Sequence, residues 1–182
     1  MKHTMNLTQM AQEAHAANIK WWQDINTGEP IERNRGELLM LVVTELAEAV
    51  EGIRKGLMDD KLPHRKMEEV EMADAMIRLG DYAGAYEVVF DKRYNSIGQT
   101  KHDNKLEWIL KITKMIVSIH GALIDSKLAH DFYVHISMQM IQTYCAHHGL
   151  DLEGAYREKM DYNRTRADHT HEARRAEGGK KL

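Results

Sequence analysis

The stretch GELLMLVVTELAEAVEGIRKG, residues 36–56, decides the fold class. Leu38 to Val43 form an unbroken apolar run, and Glu45 and Glu48 then follow, three positions apart. Alanine, leucine, methionine and glutamate all favour helix, so the spacing predicts a helix from about Arg35 to Lys55, ending at Gly56. On a helix, residues three and four apart share a face. Leu41 and Val42 lie one turn before Glu45 and Ala49 one turn after it, which sets Glu45 on or beside the apolar stripe. Glu48 occupies the adjoining edge. Two readings stay open at this point: a solvated helix edge, or carboxylates directed into a helical interior.

The rest of the chain extends the helical pattern. It has 182 residues, 43% hydrophobic and 29% charged, the balance of one globular domain spanning 1–182. Its two prolines, Pro30 and Pro63, both fall between periodic segments. Further helices are expected at about 7–25, 65–86, 105–124, 129–148 and 152–165, with EVVF (87–90) open as a short strand. The expected fold class is all-α. A formal net charge of −3 gives no reason to expect nucleic-acid binding. The single cysteine, Cys145, excludes an internal disulfide framework and fits a reducing compartment. No apolar stretch approaches the roughly 20 residues of a membrane span, and the first residues show no apolar signal-peptide core. A cytoplasmic location, in a bacterium or a phage-infected host cell, is the expectation. The tail from about 167 to 182 is basic and is expected to be an extended arm.

The segment HRKMEEVEMADAMIRLGD (64–81) repeats the feature seen in the helix expected at 35–55. Glu71 has Met67 and Ala75 one turn away, and Asp74 has Val70 and Ile77 as neighbours. Two consecutive helices thus each carry an acidic pair at i,i+3 within apolar surroundings. The connection between them favours antiparallel packing, which brings Glu45, Glu48, Glu71 and Asp74 face to face. Four carboxylates in a partly dry space repel and lose hydration at a cost of several kcal/mol. A hard divalent cation such as Mg²⁺ offsets this, because it prefers oxygen ligands. With 28 acidic residues in the chain, two solvated acidic pairs on helix edges remain the alternative.

At these residues the chain resembles the MazG-like, all-α nucleoside triphosphate pyrophosphohydrolases, a superfamily that includes dimeric dUTPases. That family's signature is E-x-x-E on one helix and E-x-x-D on the next. ELAE (45–48) and EMAD (71–74) match it in order, type and separation. The flanking words GELLMLVVTELAEAVEGIRKG and EEVEMADAMIRLGDYAG, and the C-terminal EKMDYNRTRADHTHEARRAEGGKK, are similar to the phage and bacterial branch. The resemblance covers about residues 30–87 and 153–181, and residues 88–150 read as a helical insertion.

The resemblance implies cleavage between the α and β phosphates of a nucleoside triphosphate, giving a monophosphate and pyrophosphate. It implies Glu45, Glu48, Glu71 and Asp74 as ligands of Mg²⁺, with Mn²⁺ as a substitute, and a homodimer or homotetramer. Glu48 is the candidate general base for the attacking water. Lys159, Asn163 and Arg166, at i, i+4 and i+7, share one face of the last helix and suit the phosphates. Trp22, from the KWWQD stretch, is the candidate for stacking on the base, and Asn34 for reading its edge. Some members act broadly and some reshape deoxynucleotide pools, one branch acting on dGTP; a deoxynucleotide is the expected substrate.

Three other readings compete. A di-iron bundle needs Glu-x-x-His pairs, and the chain has none. An HD-type metal phosphohydrolase finds a candidate in His130 and Asp131. A non-catalytic oligomerisation module finds one in the apolar segment within 105–148.

Overall fold

A computed structural model of the chain describes residues 6–95, 97 and 102–178. The fold is all-α. The helices are α1 (Leu7–Asn18), α2 (Arg35–Lys55), α3 (Met67–Ala85), α4 (Lys105–Asp125), α5 (Lys127–His147), α6 (Leu152–Thr165) and the short α7 (His171–Arg175). Among the described residues there is no strand, only the isolated bridges Gln23–Pro30 and Met58–Lys66. EVVF is irregular backbone following α3.

Most starts carry a side-chain cap, each worth about 1 kcal/mol. Asn6, Asn34, Asn104, Ser126 and Asp151 accept the amide hydrogens of the first turns of α1, α2, α4, α5 and α6. Ser126 explains why α5 begins two residues before the expected start. The first helix is shorter than expected: it ends at Asn18 and passes into a single 3₁₀ turn, Ile19–Trp22. Helix α2 stops where Gly56 takes the left-handed conformation (φ 64°) and its N–H caps the Gly52 carbonyl, the helix-ending geometry at which glycine is least strained.

α2 and α3 run antiparallel, as three contacts along their length establish. Near the end of α2, a Cβ on Gly52 would lie 2.9 Å from the Met67 Cβ. At its middle, Glu45 meets Arg78. Just before its start, the Tyr86 hydroxyl donates to the Arg33 carbonyl at 3.2 Å. α3 is the hub, packed by α1, α2, α5 and α6. It is buried around most of its circumference, including Glu68, Glu71 and Asp81. A helix so enclosed is expected to be apolar all round, so each acid on it calls for a compensating group.

The segment expected as an insertion is integral to the core. Trp108, Ile112 and Ile116 of α4 and Val134, Met138 and Ile141 of α5 join Val42, Leu46, Met76 and Leu79 in one continuous cluster. Glu68 of α3 is held there by Lys105, at 2.7 and 2.8 Å, and by the Tyr144 hydroxyl. Cys145 is buried beside it, and its thiol is pushed well above the usual range by burial. No helix among the described residues is long and apolar enough to cross a membrane.

The described part of the tail is folded rather than extended. A 3₁₀ turn, Ala167–His169, leads into α7, where Arg174 is buried against the face of Trp21, 4.0 Å from the ring centroid. Its Nη1 donates to the Lys20 carbonyl at 2.8 Å, and Arg175 donates to the Ile25 carbonyl. Of the expected arm, residues 179–182 lie outside the described residues.

Candidate metal and nucleotide site

Antiparallel packing brings Glu45 of α2 beside Glu71 and Asp74 of α3. One carboxylate oxygen from each lies within 4.8 Å of the other two. Glu45 and Glu71 are buried and Asp74 is half-buried. Confinement makes their ionised forms costly. Glu71 is driven far above the usual carboxylate range by burial first, then by the charges of Asp74 and Glu45. Asp74 is raised to about 6 by burial, with Lys159 acting in the opposite sense.

Two side-chain cations face these acids. Lys159 Nζ of α6 lies 2.8 Å from Asp74 Oδ2, and Arg78 Nε donates to Glu45 Oε1. Burial opposes the charged form of Lys159, but Asp74, together with Asp59 and Glu71, keeps the ammonium above its ordinary range. Glu48, expected as a fourth ligand, is exposed and stands outside the tight group. Partial desolvation, followed by the nearby charge of Glu45, raises its carboxyl. Among the described residues it forms no ion pair.

Beside the acids opens a cavity of about 280 Å³. Asp74 and Arg78 line it next to the carboxylates, and Arg33, Arg166 and Asn163 contribute polar groups. Leu38, Leu41, Ile77 and Trp21 supply apolar surface. Arg33 Nη2 and Asn163 Oδ1 are buried with no hydrogen-bond partner, a condition that costs about 1–3 kcal/mol per group unless a ligand or water meets it. Arg166 is braced by Asp168 at 2.8 and 2.6 Å.

The chain matches no family model, no curated protein and no solved structure. The chemistry of the site therefore rests on its own side chains.

Several expected site residues have other duties. Trp22 is not the tryptophan that lines the cavity; Trp21 is. Trp22 Nε1 donates to Asp81 Oδ1 at 2.9 Å, and His15 Nδ1 meets the same oxygen at 2.8 Å. Adjacent residues on a 3₁₀ turn point about 120° apart, and the turn after α1 sends Trp22 inward. Asn34 caps α2, its Oδ1 accepting from Glu37 N at 3.1 Å, and it is not a cavity residue. Lys159 is 4% exposed and bound to Asp74, so it serves as an internal counter-ion. Asn163 and Arg166 do reach the cavity.

Sequence reasoning missed Arg78 and Arg33. For Arg78 a signal existed: it stands one turn after Asp74 on the same face. Arg33 precedes the cap of α2 in an irregular segment, where no periodicity could orient it.

The HD-type alternative loses its candidate pair. His130 is buried between Asp131 Oδ1 at 3.0 Å and the Tyr82 hydroxyl at 2.9 Å. Asp131 is itself held by Lys127 and Val89 N. Among the described residues no histidine belongs to the clustered acids.

Proposed function

We propose that the protein is a Mg²⁺-dependent nucleoside triphosphate pyrophosphohydrolase of the MazG-like kind. The observation that carries this reading is the convergence of Glu45, Glu71 and Asp74, from two helices, beside a cavity lined by three arginines. The donor set fits a hard divalent cation: three carboxylate oxygens, no sulfur or imidazole, and repulsion that a cation relieves. Glu45, Glu71 and Asp74 would hold it, and Mn²⁺ substitutes for Mg²⁺. Bound there, the ion supplies charge neutralisation for the phosphates and a water of lowered pKa.

The chain's own groups do the rest. Glu48 is exposed near Glu45, with its carboxyl raised and no ion pair among the described residues, and it takes the proton of the attacking water. Arg33 and Arg166 bind and orient phosphate oxygens with their planar donor forks. Trp21 offers a ring face to the base. The cavity lies near the lower bound of about 300 Å³ for small-molecule sites. That suits the base and sugar, with the phosphates extending over the carboxylates. The resemblance of both core helices to the phage branch favours a deoxynucleotide, with dGTP the first to try.

Assembly as a homodimer or homotetramer is part of the proposal. Leu106, Leu110 and Val117 line one exposed side of α4, Leu110 being 68% exposed, and such a row favours burial against another copy.

The deciding experiment is a panel of ribonucleoside and deoxyribonucleoside triphosphates with Mg²⁺, scored for pyrophosphate release and repeated with Glu45→Gln. At least one triphosphate is expected to be cleaved, and the variant should lose that activity. Cleavage of none, or an unaffected variant, removes the proposal.

A further inference from the structure

We infer that Arg78 is a counter-ion that changes partner: it holds Glu45 in the metal-free protein and passes to the phosphates of the nucleotide when a divalent cation takes Glu45. This deepens the proposed function and rests on it.

The position of Arg78 suggests the exchange. It stands one turn beyond Asp74 on α3, so a single side chain both donates to Glu45 Oε1 and lines the nucleotide cavity. It therefore sits on the boundary between the acids and the space beside them. A cation bound by Glu45 competes with the guanidinium for the same carboxylate.

The other nearby cations are poorly suited to this exchange. Lys159 is almost fully buried and fixed to Asp74. Arg166 is already braced in two places by Asp168. The Arg78 side chain is 39% exposed, which leaves it room to rotate, and its fork matches a phosphate as well as a carboxylate. The cavity it would turn into already holds Arg33 Nη2 and Asn163 Oδ1, both buried without partners, as a place prepared for polar ligand atoms would. The exchange makes the two bindings reciprocal: the metal favours the nucleotide by releasing Arg78, and the nucleotide favours the metal by retaining it.

The inference makes two predictions of opposite sign for one substitution. Mn²⁺ binding to the full chain is measured without nucleotide, by electron paramagnetic resonance or calorimetry. Arg78→Gln is expected to bind Mn²⁺ more tightly, by about threefold, because a competing ion pair is gone. A non-hydrolysable α,β-imido deoxynucleoside triphosphate is then titrated in saturating Mn²⁺. Its affinity for Arg78→Gln is expected to fall about tenfold, the usual effect of losing a charged hydrogen bond. Arg78→Lys keeps the charge without the fork, so it should bind Mn²⁺ as the wild type does and bind the analogue more weakly.

If Arg78→Gln binds Mn²⁺ no better than the wild type, or binds the analogue equally well, the exchange is overturned while the metal site stands. If the wild type binds no Mn²⁺ at all, the functional proposal and this inference fall together.

Discussion

Lys159 Nζ lies 2.8 Å from Asp74 Oδ2, and the lysine is buried. A cation that would be free to meet phosphate on a helix surface is instead built into the acidic cluster. Lys159→Met removes that charge and leaves Asp74 with less compensation. Loss of one partner of an enclosed pair is expected to destabilise the metal-free protein by about 2–4 kcal/mol. Because Mg²⁺ supplies the missing positive charge, a larger part of the loss should be recovered with Mg²⁺ than the wild type gains from it. Thermal unfolding of both proteins with and without Mg²⁺ measures this; equal Mg²⁺ effects would contradict it.

Glu71 makes stability depend on pH in a defined sense. Its ordinary value is 4.5, and burial raises it in the folded protein. Its contribution is therefore fully present below pH 4.5 and is lost as pH rises toward its folded value. Between pH 5 and pH 8 the metal-free wild type should lose stability relative to Glu71→Gln. At pH 8 the variant is expected to be the more stable by about 1–3 kcal/mol, yet to gain nothing from Mg²⁺. Denaturant titrations at the two pH values test the sign. A variant that is less stable at pH 8 would refute the assignment.

The two adjacent tryptophans are expected to separate cleanly. Trp21→Ala should raise the KM for nucleotide about tenfold or more, since base stacking on an aromatic ring contributes about 1–3 kcal/mol, with a modest effect on stability. Trp22→Phe removes the donor to buried Asp81 and should destabilise by about 1–3 kcal/mol while KM changes little. Steady-state kinetics and thermal melts on both variants decide it; the reverse pattern would return Trp22 to the binding site.

Gly84→Ala sets two effects against each other. Helix propensity alone favours alanine by about 1 kcal/mol. A Cβ at this position, however, would lie 2.5 Å from the His15 Cβ and 2.6 Å from the Ala11 carbonyl oxygen. These are α1 backbone and near-backbone atoms, so the two helices must separate. Overpacking is expected to win, with a net loss of about 1–3 kcal/mol. A raised melting temperature would show that α1 approaches α3 less closely than this.

The helices and the pairing of their acids were legible in the sequence because both follow from short-range rules. Glu45 and its one-turn neighbours place it on the apolar stripe whatever α2 packs against, and the same holds for Glu71 and Asp74. Gly56 ends α2 through its own backbone freedom. The second set of assignments needed orientation in space. Trp21 and Trp22 are indistinguishable by composition, and the 3₁₀ turn after α1 determines which one faces the cavity. Lys159 lies on a face that suits phosphate binding until α6 docks on α3 and Asp74 claims it.

By itself, then, the sequence determined an all-α chain with two acidic pairs on consecutive helices, since helix periodicity depends on spacing alone. Tertiary structure alone decided that α4 and α5 join the core, that the tail clasps Trp21, and that Arg78 rather than Lys159 stands between the acids and the cavity. The physical reason is that long side chains choose partners by distance and burial, and both are set only when helices far apart in the chain are packed together.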